Sequence, residues 1–254
     1  MWKKMILSVA LLFLVTFVLF VYNEFNGNPI SKYRAEKALQ IYLAETYPDK
    51  VVRINDKGFY DFKFKEYLFK VTEVGAETTE AEEVGEEEEK IPNILDHQFA
   101  VSGFIIPKVK LDGIRMAQLD HSLMERLGTE ASEEIFQLLD QTVRNIHVVE
   151  VTMEVLKGQI ENEVSWDKAL PLDRPISIFI VLNSSNQETE DVYEAAVLIQ
   201  QTLNEANYNY DWVNINANVI NDTAQKDGLE NGYVKYGLGF DKGEQIKMKK
   251  IKEF

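Results

Sequence analysis

The 254-residue chain contains no cysteine. This absence excludes disulfide bonds, thiol catalysis and thiolate metal sites, and it also excludes a lipid attached to a cysteine behind a signal peptide. A folded domain outside the cell would therefore depend on its hydrophobic core alone for stability. Such cysteine usage fits a bacterial surface better than an endoplasmic lumen.

The motifs of common enzyme classes are also missing from the sequence. There is no G-x-S-x-G nucleophile elbow, and the 13 glycines form neither a G-x-G-x-x-G series nor a P-loop. The three histidines are His97, His121 and His147, and no two of them are close enough in sequence to form the usual zinc-ligand pair. We therefore predict no catalytic residue and no cofactor, and the sequence leaves a metal site open.

Acidic residues outnumber basic ones in this chain. The chain has 27 Lys and Arg against 42 Asp and Glu, and its formal charge of −15 becomes −17 when Lys3 and Lys4 are set aside. Such a charge repels nucleic acid and anionic lipid head groups, so we expect no nucleic-acid partner. It would attract cations or a basic partner.

One long apolar run dominates the N-terminus, from Met5 to Tyr22. Eighteen helical residues span about 27 Å, close to the roughly 30 Å of a bilayer core. A secretory signal is the alternative, but this run exceeds the usual signal core and no A-x-A-like cleavage site follows it. We predict an anchor over 1–23, with the N-terminus in the cytoplasm and the remainder outside the cell, because lysines precede the run.

The remainder is predicted to form two small α+β units with mainly antiparallel sheets, over 24–146 and 147–254. In the first, Asn28-Pro29 starts a helix that ends at Tyr47, a strand follows at 51–54, and two alternating aromatic strands form a hairpin. The aromatic residues of this hairpin are expected to lie in the core: Tyr60, Phe62, Phe64, Tyr67 and Phe69. A further strand is expected over 98–106.

Between these strands, an acidic loop is predicted over 75–95, with eight glutamates between Glu77 and Glu89. Diffuse counterion binding is the simplest interpretation, and weak Ca²⁺ sensing is an alternative, although no D-x-[DN]-x-[DN]-G pattern is present.

Helical periodicity then predicts one helix over 111–127 and a second from about Ser132, separated at Gly128-Thr129. In the second unit we expect a strand from His147, an irregular stretch over 159–174, a strand over 176–182 and a helix over 188–206. Three strand-like segments end the chain, over 208–219, 232–240 and 244–251. The pair Gly237 and Gly239 suggests a β-bulge in the second of these segments.

Several N-terminal motifs occur in a distinctive order. The segment Phe25-Asn26-Gly27-Asn28-Pro29-Ile30-Ser31-Lys32 leads into Tyr42-Leu43, Tyr47-Pro48 and Gly58-Phe59-Tyr60-Asp61-Phe62-Lys63. This set resembles the YfjL-like group of small membrane-anchored proteins of Gram-positive bacteria, most clearly over residues 1–75. The resemblance implies a topology and a compartment, and it implies no reaction and no catalytic residues.

Two further features are candidates for a site. Trp166 with Asp167 and Trp212 with Asp211 could belong to a carboxylate hydrolase at the junction of the units, although core or inter-domain packing explains both tryptophans. A lysine cluster ends the chain and could guard an edge strand, neutralise the acidic loop or touch an anionic wall polymer: Lys242, Lys247, Lys249, Lys250 and Lys252. We expect a non-enzymatic interaction module that meets another membrane or envelope protein, with the envelope hydrolase as the alternative.

Overall fold

The computed structural model describes residues 2–55, 58–75, 94–220 and 231–254. It divides into two compact units, the first ending at Ala117 and the second beginning at Gln118. Each unit is α+β, as predicted. The predicted acidic loop and its possible cation site fall almost wholly outside the described residues.

The first helix, α1 (Trp2–Asn26), is exposed along its whole length. Among the described helices it is the one that is long and apolar enough to cross a membrane. Helix α2 (Pro29–Thr46) follows at once, because the side chain of Asn28 accepts hydrogen bonds from the backbone of Ile30 and Ser31. Proline at the first position of α2 loses no helical hydrogen bond.

The N-terminal sheet covers one side of α2. Its strands are β1 (Val51–Ile54), β2 (Phe59–Asp61), β3 (Glu66–Val74), β4 (Ile94–Ser102) and β5 (Lys108–Asp112). The order is β1-β3-β4-β5, all antiparallel, with β2 pairing on β3 beside β1. The core packs α2 against the central strands through Leu39, Leu43, Phe69, Val71 and Phe99.

The predicted aromatic hairpin is shorter than its alternation suggested. Strand β2 ends at Asp61, and the next four residues form a turn in which Lys65 has a left-handed φ of 55°. Phe62 and Phe64 therefore lie outside the core, 56% and 64% exposed, so the prediction that they are core residues was wrong. Asp61 stops the strand because its Oδ1 accepts hydrogen bonds from the backbone of Lys63 and Phe64.

The next region also differs from the prediction. Strand β4 ends at Ser102, and β5 occupies the start of the predicted helix 111–127. A short helix, α3 (Gly113–Ala117), then closes the first unit.

The C-terminal unit packs two helices on one face of a five-stranded sheet. The elements are α4 (His121–Asp140), β6 (Ile146–Thr152), β7 (Ile176–Asn183), α5 (Thr189–Glu205), β8 (Tyr210–Val219), β9 (Tyr233–Asp241) and β10 (Lys252–Glu253). The strand order is β10-β9-β8-β7-β6, and β7–β8 is the parallel pair because α5 connects them.

Helix α4 runs unbroken through Gly128 and Thr129, so the predicted interruption was wrong. A glycine at 128 lets the helix approach β6 closely, since a Cβ there would lie 2.8 Å from the carbonyl oxygen of Val151. Ser132 completes the contact by accepting the Val151 N–H and donating to the Gly128 carbonyl. Close packing on the sheet overrides the low helix propensity of glycine.

The same helix accounts for the observed division of the chain. The predicted boundary at 146/147 differs from the observed one at 117/118. Leu127, Ile135 and Leu139 of α4 belong to one hydrophobic cluster with Val149 and Ile178 of the C-terminal sheet. Residues that share a core fold with it, so α4 belongs to the second unit.

The end of the chain is less regular than predicted. Residues 244–251 form no strand, since they contain loops and a 3₁₀ turn (Met248–Lys250) before the two-residue edge strand β10. Gly237 and Gly239 lie in regular pairing with Asn216 and Asn214, and the irregularity in this pair of strands falls at Ala217/Asn218. The glycines therefore serve another purpose, which the open face of the sheet reveals.

Candidate functional site

The three histidines do not converge. His97 is buried in the first unit, whereas His121 begins α4 and His147 is exposed on β6 beside a shallow groove of about 340 Å³. Over the described parts of the chain, no three His, Asp or Glu side chains are grouped so that they could hold a metal ion.

The buried polar groups of the N-terminal unit pair with one another. Glu73 is 5% exposed, and its Oε1 accepts a hydrogen bond from Lys50 Nζ at 2.5 Å while its Oε2 lies 3.2 Å from His97 Nε2. An ionised carboxylate can remain buried when two such partners satisfy it. His97 of this triad also lines a pocket of about 380 Å³ on the β3–β4 pair, together with Phe59, Lys70 and Asp96.

A second buried carboxylate, Asp112, joins α2 to β5. Its Oδ2 accepts hydrogen bonds from Tyr42 at 2.7 Å and Tyr47 at 2.6 Å, and its Oδ1 accepts one from the Arg115 N–H. Burial, followed by the hydrogen bond to Asp112, raises the pKa of Tyr47 far above its usual value of 10. Both phenols donate to this carboxylate and hold α2 in place.

The open face of the C-terminal sheet carries a groove of about 470 Å³ between β8, β9 and the C-terminal residues. Trp212 is 40% exposed at one end of it. Its indole packs closely against Gly239, since a Cβ at that position would lie 2.1 and 2.6 Å from ring atoms. At the other end, the ring of Phe254 lies over Gly237, 3.0 Å from where a Cβ would be. The two glycines therefore seat two aromatic rings.

Two amides lie between these rings. Asn214 and Asn216 point to the same face as Trp212, since alternate residues of a strand share a face, and they pair with Gly239 and Gly237. Within the described residues, neither side-chain amide makes a hydrogen bond inside the protein. Each amide can therefore offer both donors and an acceptor to a ligand.

Positive charge borders the groove on the side of the chain end. Lys249, Lys250 and Lys252 line it, and Lys250 forms an ion pair with Glu244. That pairing, together with a hydrogen bond from the Asp241 N–H, lowers the pKa of Glu244. In the described part of the chain, Lys249 and Lys252 have no ion-pair partner. No Asp or Glu side chain appears among the described lining residues.

The two tryptophans do not share a cleft. Trp166 is partly buried against the core of the C-terminal unit, and its backbone N–H donates to Glu130 Oε2 of α4 at 2.6 Å. Trp212 lies on the open face of the sheet, so its assignment to the core was wrong. Trp166 is not among the described residues of the groove that Trp212 lines.

Comparisons with known proteins agree with this two-unit architecture. A family model described as the YfjL-like N-terminal domain matches residues 2–113, and one described as the YfjL-like C-terminal domain matches residues 130–253. The chain belongs to the YfjL-like family. The two matches lie on either side of the division at 117/118, and they extend the resemblance from residues 1–75 to nearly the whole chain.

The individual relatives give no activity. The chain is 30% identical to the uncharacterized protein YfjL of Bacillus subtilis over 241 residues, which cover 94% of this chain and 93% of that protein. A crystal structure of a DUF5037 family protein from Ruminococcus gnavus aligns with 84% of this chain and 95% of its own, at 9% identity and a TM-score of 0.29. A likeness this weak supports no conclusion about fold or function.

Sequence reasoning found part of this groove. It singled out Trp212 and the terminal lysines separately, and it missed the amides and the seating role of the glycines. The signal was present as two facing alternations, Trp212-x-Asn214-x-Asn216 and Gly237-x-Gly239. Reading them together requires the register between β8 and β9, which the sequence does not provide.

Proposed function

We propose that this chain is a single-pass, membrane-anchored protein whose outer part binds an anionic saccharide polymer of the cell envelope. The proposal refines the expected non-enzymatic interaction module by giving it a ligand class. The observation that carries it is the groove in which the Trp212 indole, two unpaired amides and the terminal lysines lie on one face.

The chemistry of the groove matches such a polymer group by group. The indole packed on Gly239 is 40% exposed and offers an apolar surface to the C–H face of a sugar ring, and Asn amides donate to and accept from hydroxyl groups. Lys249 and Lys252 would neutralise phosphate or carboxylate groups along the polymer. An open groove suits a chain that continues past the site at both ends, whereas small-molecule sites enclose most of their ligand.

The described lining contains no Asp or Glu side chain, which favours binding over hydrolysis. Glycoside hydrolysis requires two carboxyl groups on opposite sides of the scissile bond. The carboxylate nearest in sequence to the indole, Asp211, accepts a hydrogen bond from Ser177 at 2.8 Å and is not among the lining residues. We therefore favour a binding function over an envelope hydrolase.

Anchoring by α1 can be tested with single cysteines, because the chain has none of its own. Lys37→Cys, on the exposed face of α2, should react with a membrane-impermeant maleimide in intact cells. Lys4→Cys should react only after the membrane is opened. Labelling of Lys4→Cys from outside would contradict the proposed orientation. Cleavage of the wild-type chain after α1, with release of the remainder into the medium, would contradict the anchor.

Ligand binding is tested with the full-length protein in lipid nanodiscs. A polyglucuronate, which carries one carboxylate on each sugar ring, serves as the anionic probe and an uncharged glucan as the neutral one. Trp212→Ala should weaken binding of the anionic probe about thirtyfold, as expected for an aromatic hot spot of ~2 kcal/mol. Lys249→Gln with Lys252→Gln should weaken it about fivefold, since two exposed ion pairs contribute roughly 1 kcal/mol together.

A matched control removes two lysines from the other unit. Lys37→Gln with Lys110→Gln changes the net charge by the same amount and should leave binding intact. Wild-type binding that falls with added salt is expected, because exposed ion pairs are screened. Equal affinity of the wild type and Trp212→Ala, or an equal loss in the control pair, would contradict the proposed site.

A further inference from the structure

Two hairpin tips of the N-terminal unit expose apolar residues beside the end of α1. The first tip is the turn 62–65 between β2 and β3, and the second is the loop 103–107 between β4 and β5. Both lie at the same end of the sheet, because Glu66 pairs with Asp61 in β2 and with Ser102 in β4, and Ser102 pairs with Lys108 in β5.

Contacts fix the first tip against the last turn of α1. The rings of Phe25 and Phe62 lie 5.6 Å apart between centroids, and Lys65 Nζ lies 3.0 Å from Glu24 Oε2. The hydrogen bond to Glu24 raises the pKa of Lys65, which favours its charged form. The backbone N–H groups of Lys63 and Phe64 donate to Asp61 Oδ1 and fix the conformation of the turn that carries the exposed rings.

The second tip is held from α2. Arg34 donates a hydrogen bond to the Phe104 carbonyl at 3.3 Å, and its guanidinium carbon lies 5.6 Å from the centre of the Phe104 ring. Ile105 and Ile106, beyond this contact, are 79% and 73% exposed. These are among the most exposed large apolar side chains outside α1.

The depth of the tips follows from helix geometry. The apolar run of α1 ends at Tyr22, and Phe25 lies three residues further, about 4.5 Å along the axis. A headgroup layer extends roughly 5–8 Å beyond the hydrocarbon core. If α1 spans the bilayer, Phe62 and its neighbours therefore lie at the level of the head groups.

The composition of the tips suits that environment. The tips, residues 62–65 and 103–107, contain Phe62, Phe64, Phe104 and two isoleucines together with Lys63 and Lys65, and they contain no acidic residue. Aromatic and basic side chains are the usual anchors at a membrane interface. The acidic remainder of the chain, which predicted repulsion from anionic lipid, is screened beyond about 8 Å at physiological salt.

We propose that these two tips rest in the headgroup layer of the bilayer that holds α1, so that the N-terminal unit is docked on the membrane surface. The proposal rests on the anchoring role of α1. It assigns the exposed apolar tips to lipid, because α1 contacts the first tip and the second tip lies at the same end of the sheet.

The test uses the full-length protein in vesicles of phosphatidylcholine and phosphatidylglycerol. A single environment-sensitive label is attached in turn to Phe64→Cys, Ile105→Cys and Ile94→Cys. Ile94 is a matched control, since it is 61% exposed and pairs with Val74 at the opposite end of the same sheet. Quenching is measured with headgroup spin-labelled lipid and with aqueous iodide.

The labels at Phe64 and Ile105 should be quenched by the lipid probe and protected from iodide, and the label at Ile94 should show the reverse. Lys63→Gln should lower the ratio of docked to undocked protein, as reported by quenching at Phe64→Cys, about fivefold in vesicles with phosphatidylglycerol. It should change this ratio little in phosphatidylcholine alone, because each basic residue contributes about that factor at an anionic surface.

Equal iodide quenching at all three positions in protein that floats with the vesicles would overturn docking while leaving the anchor intact. Protein that fails to float would instead overturn the anchor. Protection of the label at Ile105 from both quenchers would show that protein, such as a second copy of the chain, covers the tip, and would also overturn the proposal.

Discussion

The indole of Trp212 lies on Gly239, so close that no side chain larger than hydrogen fits beneath it. Two residues along the same strand, Gly237 faces Phe254 at a looser distance of 3.0 Å. Glycine is unfavourable inside a strand because it packs no side chain and costs conformational entropy. Its presence here indicates that the position of the ring matters more than strand propensity.

Replacement of Gly239 by alanine should move the ring without unfolding the protein. The indole is partly exposed and can swing into solvent, so we expect a stability change of at most ~1 kcal/mol. The intrinsic fluorescence should shift to the red, and binding of polyglucuronate should fall nearly as far as in Trp212→Ala. Gly237→Ala is the matched control and should have a weaker effect on fluorescence. A fluorescence spectrum unchanged in Gly239→Ala would contradict the seating of the ring.

Gly128 should behave in the opposite way, because the atom facing it belongs to the backbone. Alanine favours helices over glycine by about 1 kcal/mol, but its Cβ would lie 2.8 Å from the Val151 carbonyl oxygen. Forcing α4 away from β6 should cost about 1–3 kcal/mol, so Gly128→Ala should lower the denaturation midpoint. Thr129→Ala, at the next and exposed position, controls for helix propensity and should be neutral or stabilising by up to about 0.7 kcal/mol. Stabilisation by Gly128→Ala would show that the contact relaxes freely.

The ion pair between Lys50 and Glu73 should be strongly coupled. Removing Lys50 leaves a carboxylate that is 5% exposed, with His97 Nε2 as its remaining side-chain partner. We expect Lys50→Met to cost roughly 1–3 kcal/mol, less than a fully buried pair because Lys50 remains partly exposed. The same substitution in a Glu73→Gln background should cost much less. Chemical denaturation of the four proteins gives the coupling energy, and additive effects would contradict the coupling.

The sequence predicted those elements that depend on local patterns. The cap at Asn28 and Pro29 marked the start of α2, and the apolar period of α5 gave its bounds within one or two residues. It failed where a tertiary contact overrides the local pattern. Gly128 suggested a break because the sequence does not show that β6 packs against it, and the alternation around Phe62 suggested a longer strand because aromatic residues are usually buried.

The candidate site was predictable only in pieces. Trp212 and the terminal lysines were visible as residue types. They come together because β10 pairs with β9, which in turn pairs with β8, the strand of Trp212. The sequence predicted a β-bulge at Gly237 and Gly239, since it does not specify that aromatic rings cover these two glycines. Non-local register, which the sequence leaves open, therefore decided the site.

Tyr47 should make the folded state sensitive to alkaline pH. Its pKa is raised in the folded protein, so above pH 10 the unfolded chain loses this proton first and stability falls as the pH rises. Tyr47→Phe should flatten this decline above pH 10 when unfolding is followed by circular dichroism. Tyr33→Phe removes an exposed tyrosine and serves as the control. An unchanged slope in Tyr47→Phe would show that the decline comes from other groups.

The joint between α1 and the N-terminal sheet should depend on one phenol. The Tyr67 hydroxyl accepts the Asn28 N–H at 2.7 Å and donates to the Asn28 carbonyl at 2.9 Å, so it holds the two-residue connection between α1 and α2. Tyr67→Phe leaves both backbone groups without this partner and should cost about 1–3 kcal/mol. Tyr60→Phe is the matched control, because the Tyr60 ring packs against Tyr67 at 5.0 Å and its hydroxyl does not bond to Asn28. With spin labels at Asn23→Cys and Gln98→Cys, the distance distribution should broaden in Tyr67→Phe and stay narrow in Tyr60→Phe. A distribution that stays narrow in both would show that the ring contact between Phe25 and Phe62 holds α1 to the sheet without this hydroxyl.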